Sequence, residues 1–185
     1  MSMRKLALAA IVGLIAMPGF ATGLKIEVEG EANGTILIDL FEDVAPNHVA
    51  QITAIASEGG YDTVVFHRVI DRFMAQTGDV SNGRMGMDMS RAGFGASDRP
   101  DLKAEFSDLS FERGIVGMGR KQSVDSANAQ FFIMFEAAPH LNGQYTVIGR
   151  VTEGMDVVDA IKRGNSRSGT ITGKPDMMKT VTVTD

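Results

Sequence analysis

The chain contains no cysteine and no tryptophan, and only two tyrosines, three histidines and five prolines among 185 residues. Without cysteine there is no disulfide framework and no thiol nucleophile, and no lipid can be attached to a cysteine at the mature N-terminus. The three histidines, at positions 48, 67 and 140, are too scattered to read as a metal-ligand signature, and no metal or cofactor is expected. No GxSxG, P-loop or HExxH pattern occurs. The stretch "GMGRKQ" has glycines but lacks the strand–turn–helix setting of a dinucleotide loop. There is no run of like charge, and a net charge of −5 argues against nucleic acid as a partner, because phosphate binding wants a clustered basic surface. What remains, 44% hydrophobic and 22% charged residues, is the composition of an ordinary globular domain.

The first residues stand apart. Arg4 and Lys5 precede an apolar run from Leu6 to Met17, Pro18 breaks it, and "GFATG" supplies small residues. A basic start, a short apolar centre and a small-residue site make a secretory signal peptide, with cleavage after Ala21 preferred and after Gly23 as the other fit. The competing reading is an uncleaved anchor, but the run falls short of the roughly 20 residues that span a bilayer. Expected, therefore, are a signal peptide over 1–21 and one domain over 22–185. The product is a periplasmic protein with no stable membrane insertion once the signal is removed.

Beyond that point the pattern is mainly that of strands. Leu24, Ile26 and Val28 alternate with polar residues, the period of two resumes at Ile36, Ile38 and Leu40, and Asn33-Gly34 between them reads as a type I′ hairpin turn. "APNHVAQITAIASEGG" follows as a helix, with Pro46 in its first turn, Val49, Ile52, Ile55 and Ala56 at helical spacing, and Gly59 at its end. His48 in that helix reads as an exposed surface histidine. Then come short β-like runs, "VVFHRVI", "FMAQTGD", "GIVGMG", "QFFIMF", "YTVIGRV" and "TVTVT", with a second helix in "GMDVVDAIKRG" and a long irregular stretch over 80–104. Many short strands and two separated helices predict a closed antiparallel barrel, which leaves no free sheet edge.

The chemistry concentrates in "FHRVIDRFMAQTGD", residues 66–79. Read as one strand, it puts Phe66 and Arg68 on one face and Val65, His67 and Val69 on the other. After a turn at Asp71-Arg72, Met74 and Gln76 share a face. In "ANAQFFIMF", Gln130, Phe132 and Met134 lie together while Phe131 and Ile133 point away. These strands assemble an apolar surface with one arginine and two glutamines set into it, suited to a compact apolar group flanked by peptide bonds. In isolation a strand arginine is usually a surface ion-pair partner; the glutamines and the apolar neighbours argue for a site instead. His67 reads as packing or support rather than a proton-transfer group.

These segments, with "HLNGQYTVIGRVTEGMDVVDAI" in matching order and spacing, resemble the cyclophilin family of peptidyl-prolyl cis–trans isomerases, and the short loops resemble its bacterial branch. The resemblance covers about residues 24–163. It implies a mainly β fold, a closed eight-stranded antiparallel barrel capped by two α-helices, with the site on the barrel's outer face. It implies Arg68 as the catalytic arginine, with Phe73, Met74, Phe132 and Leu141 lining a proline pocket. Gln76 and the backbone near Gly119 and Arg120 would hold the substrate's peptide groups, Gln130 would orient Arg68, and Tyr145 stands where the family often has His or Tyr. The expected partners are proline-containing peptides and unfolded exported proteins, and the enzyme is expected to act as a monomer.

Three positions depart from the family pattern. His140 replaces the usual Trp or Phe at the pocket rim, which predicts weak cyclosporin binding. Gly119-Arg120 replaces an Ala-Asn pair, with little loss expected because backbone groups carry that role. The usual glycine-rich loop is here "SNGRMGMDMSRAGFGASD", which places the pocket for residues preceding the proline in question. Met85, Met87 and Met89 in that loop could offer soft thioethers to Cu(I), but with no Cys or nearby His to complete a site an adaptable apolar lip is the preferred reading. The functional alternative to the isomerase is a non-catalytic peptide-binding or chaperone module on the same fold, which could dispense with Arg68.

Overall fold

A computed structural model describes residues 22–185; the signal-peptide reading of residues 1–21 lies outside the described residues. Nine strands and two helices follow one another as β1 (Gly23–Glu29), β2 (Gly34–Leu40), α1 (Pro46–Ser57), β3 (Val64–Val65), β4 (Arg68–Ile70), β5 (Met74–Thr77), β6 (Ile115–Arg120), β7 (Ala127–Met134), β8 (Val147–Glu153), α2 (Met155–Ala160) and β9 (Met177–Thr184). All strands belong to one antiparallel sheet ordered β3-β9-β1-β2-β8-β6-β7-β5-β4. No helix among the described residues is long and apolar enough to cross a membrane.

The expected closed eight-stranded barrel is therefore corrected to a curled nine-stranded sheet that stays open. The cause lies in "VVFHRVI", which does not form one strand. Val64 and Val65 pair with β9, whereas Arg68 to Ile70 pair with β5, so β3 and β4 end the sheet on opposite edges. Phe66 and His67 join those edges through the covalent chain, and among the described residues no ladder does. The break also changes which residues share a face: Phe66 packs with Val69 in the main core, not beside Arg68.

The β1–β2 hairpin pairs Gly23 with Asp39 through Val28 with Gly34, but its connection is the four-residue loop 30–33 rather than a two-residue turn. Asn33 keeps a negative φ. Buried Asp176 draws the loop inward by accepting the Ala32 N–H at 3.0 Å. The same carboxylate accepts the Lys162 N–H at 2.7 Å, which ends α2 earlier than expected and leaves Lys162 and Arg163 beyond it, paired with Glu31 and Asp71.

α1 begins with Pro46 and buries Val49, Ile52, Ile55 and Ala56, as its spacing predicts. His48, expected at the surface, is fully buried. The first-turn N–H groups of Asn47 and His48 lack helical partners, and the Glu105 carboxylate accepts both while meeting the His48 Nδ1 at 2.5 Å. Partial burial pushes the Glu105 carboxyl upward, but these hydrogen bonds outweigh it and hold the group below the ordinary carboxylate range.

Two apolar clusters follow from strand alternation. The main core fills the concave side of the sheet beneath α1. A smaller one, built from Met74, Phe111, Phe132, Met134, Leu141 and Val147, lies on the other face, because alternate residues of β5, β6 and β7 point outward. That second cluster is the floor of the site.

Candidate active site

Strand β4 is paired so that Arg68 stands opposite Gln76, and β5 is paired so that Gln76 stands opposite Phe132. This register sets a cation, an amide and an aromatic ring side by side on the outward face. Arg68 is half-buried, and its Nη1 donates to the Gln76 Oε1 at 3.3 Å and lies 3.8 Å from the Met74 sulfur. Its Nε donates to the Ser168 carbonyl at 3.2 Å. No carboxylate pairs with it among the described residues, so the ion-pair reading fails. Burial lowers the guanidinium's pKa, opposed by Tyr145, yet arginine stays protonated at any physiological pH.

Gln130 reaches Arg68 through an intermediary. Gln76 Nε2 donates to the Gln130 Oε1 at 2.9 Å, so one amide fixes the other, and that one fixes the guanidinium. The Gln130 Nε2 in turn donates to the carbonyls of Gly93 and Gly95, at 3.0 and 2.9 Å.

Beside this relay lies a cavity of about 190 Å3 formed by Arg68, Phe73, Met74, Phe132, Leu141 and Tyr145, with Gln76, Gly119 and Arg120 along its edge. Pockets for drug-sized ligands start near 300 Å3, so this one suits a single small ring. Its aromatic lining is rigid: Phe132 stacks on Phe111 with centroids 5.8 Å apart and meets Tyr145 edge-on at 5.7 Å. Gly117 makes room for the first pair, since a Cβ there would lie 2.6 Å from both rings. The Arg120 guanidinium lies 4.5 Å over the Tyr145 ring and donates to the Gln144 carbonyl, closing the far wall. His140 is exposed and stacks on Phe73 at 5.7 Å, at the rim.

Of the residues expected from sequence, those nine converge on the cavity, Gln130 acts one step removed, His140 stands at the rim, and His67 faces a different hollow behind Arg68. Sequence reasoning missed Ser168, which contributes only a backbone carbonyl and so left no residue-type signal. Gly169 beside it was missed too. At φ 76° it lets that loop lie on Arg68, where a Cβ would come within 2.9 Å of the arginine stem. The methionines of the loop separate: Met87 is largely exposed, while Met89 lines the hollow behind Arg68.

Comparison with known proteins agrees with this arrangement. A family model described as "Cyclophilin type peptidyl-prolyl cis-trans isomerase/CLD" matches residues 24–184. The chain belongs to the cyclophilin family. A probable peptidyl-prolyl cis-trans isomerase of Brucella suis is 52% identical over 153 residues, covering 82% of this chain and 78% of the relative. The peptidyl-prolyl cis-trans isomerase CYP23 of Arabidopsis thaliana is 34% identical over 138 residues, covering 72% of this chain and 58% of the relative. A crystal structure of a Cryptosporidium parvum cyclophilin superposes with a TM-score of 0.73 over 90% of this chain and 99% of that one, at 22% identity, which shows the fold alone. The same parasite cyclophilin is also known in the presence of the dipeptide Ala-Pro, with a TM-score of 0.72. This cyclophilin is accordingly a peptidyl-prolyl cis–trans isomerase with a mainly β fold and two helices.

Proposed function

We propose that the enzyme accelerates rotation about Xaa–Pro bonds by arginine stabilisation of the twisted imide, without a covalent intermediate, and that it serves exported proteins in the periplasm as a monomer. The observation that carries the mechanism is the half-buried Arg68 guanidinium, without a carboxylate partner among the described residues, held by Gln76 and Ser168 at the edge of a ring-sized cavity walled in part by Phe73, Met74, Phe132 and Leu141. The basic and apolar start of the chain supports the export reading.

A peptide bond resists rotation by about 18–20 kcal/mol because the nitrogen lone pair is delocalised into the carbonyl. Half-way through rotation that lone pair is localised on a pyramidal nitrogen and can accept a hydrogen bond. With the proline ring against Phe132 and Met74, a guanidinium N–H aimed at the nitrogen binds the twisted state better than either planar one. The apolar walls exclude water and strengthen the contact. Lowering the barrier by about 5 kcal/mol raises the rate by between three and four powers of ten. Such catalysis would relieve steps that otherwise take tens of seconds.

NMR exchange spectroscopy on an Ala-Pro peptide tests this. Arg68→Ala is expected to lower kcat/KM by about two to three powers of ten, the usual cost of removing one preorganised donor, while leaving most peptide affinity. Equal exchange rates with mutant and wild type would end the arginine mechanism, and a loss confined to affinity would favour a binding module.

A further inference from the structure

A second hollow of about 240 Å3 adjoins the proline cavity, sharing Arg68 and Gln76 with it. Its lining is mixed, with apolar side chains supplied by two loops: Met89 and Phe94 from one, Ile171 and Pro175 from the other. At its base stands His67, which is about nine-tenths buried, and neither ring nitrogen has a hydrogen-bond partner among the described residues. Buried polar groups left without partners are rare and costly. The ring is held neutral, because burial pushes its pKa down to about 4 against the opposing charge of Asp79. The neutral imidazole carries one donor and one acceptor nitrogen, and both lie beneath the surface of the hollow.

Phe94 forms the lip of this hollow and also borders the one past Gly119 and Arg120. The residue is 84% exposed, which in itself is unremarkable for a lone apolar residue. Its backbone is another matter. The N–H groups of Gly93 and Gly95 donate to the buried Asp79 carboxylate at 2.7 and 2.9 Å, and their carbonyls accept from Gln130. Four hydrogen bonds thus pin the residues on either side of a phenyl ring left in solvent. Gly93, at φ 95°, lies directly over the His67 ring. The clamp and the Arg68 relay share Gln130, so the backbone that carries the ring is held in fixed relation to Arg68.

A peptide whose proline occupies the first cavity has two ends and finds two ways out, one past Gly119 and Arg120 and one past Arg68 into this hollow. We propose that the hollow is an accessory substrate subsite, taking one bulky apolar side chain from a single flank of the prolyl peptide. Phe94 covers that side chain, and the His67 ring lies beneath it. The subsite rests on the isomerase reading of Arg68 and adds sequence preference to it.

The test uses two peptide series around Ala-Pro, one varied at the two positions before alanine and one at the two positions after proline, each with Gly, Leu or Phe. In one series kcat/KM from exchange spectroscopy should favour Leu or Phe over Gly by about tenfold, the scale on which apolar pockets discriminate. Phe94→Ser, at an exposed position where folding is undisturbed, should reduce that ratio to about twofold or less. Titration with the preferred peptide, but not its Gly counterpart, should shift the 15N signals of the His67 ring. No preference in either series, or one that survives Phe94→Ser, would overturn the subsite while leaving isomerase activity intact. Should no peptide be accelerated, the isomerase reading fails instead. The titration then decides the subsite alone, supporting it if the His67 ring responds to Leu or Phe peptides only and ending it otherwise.

Discussion

At Arg68 the question is whether charge or shape matters. Nε and Nη1 are spent on Ser168 and Gln76, which leaves Nη2 without a protein partner among the described residues and free to face the ring. Lysine would keep the charge but lose the fork that holds one donor still while another works. Arg68→Lys is expected to cost about a hundredfold in kcat/KM with peptide affinity nearly unchanged, a split that single-turnover exchange and calorimetry would read. His140 makes a different point. Its ring stacks on Phe73 at the rim, but an imidazole covers less apolar area there than an indole. Weak cyclosporin binding is expected by calorimetry, and a tight complex would refute it. Both residues were legible in the sequence because their side chains, not their backbones, make the contacts at the cavity. Ser168 was not, since a carbonyl belongs to every residue, and His48 was misread because its partner Glu105 lies 57 residues away in the chain.

At the scale of elements, the site depends on a loop as much as on strands. Asp79, fully buried, accepts N–H groups from Ser81, Asn82, Gly93 and Gly95 at 3.2, 2.8, 2.7 and 2.9 Å. One carboxylate thereby ties the start of the irregular stretch that follows β5 to its middle. An asparagine amide of the same size presents one acceptor in place of two. Asp79→Asn is expected to destabilise the protein by about 2 kcal/mol, the scale of lost charge-assisted hydrogen bonds. Hydrogen exchange should show the Gly93 and Gly95 amides losing protection before the strands do; unchanged protection would show that the clamp does not depend on this carboxylate. The helical periodicity of α1 and the alternation of β1 and β2 could be read directly, because each buries one regular face. The hairpin turn and the end of α2 could not. Both are set by Asp176, a distant buried carboxylate that competes for local backbone donors.

For the whole molecule, an apolar run such as "VVFHRVI" reads as one strand, and one strand there would have closed a barrel. What divides it is demand from two sides: β9 claims Val64 and Val65, and β5 claims Arg68 to Ile70. Nothing in seven consecutive residues reports such distant partners. His67 falls in the gap, where it is buried on folding, and so couples global stability to pH. Its pKa is about 4 when folded and near the ordinary 6.5 when unfolded. Between those values the unfolded chain binds more protons than the folded one, so stability must rise with pH. The contribution is fully present above about pH 6.5 and is lost as pH falls toward 4, amounting to about 3 kcal/mol at most. Carboxylates held below their ordinary range, such as Glu105, act in the same direction but only below about pH 4.5. The interval from 4.5 to 6.5 therefore leaves those carboxylates aside. Urea unfolding across it should show the wild type losing more stability on acidification than His67→Gln, which has no proton to gain at that position. Parallel slopes for the two proteins would mean that the imidazole is not buried in its neutral form.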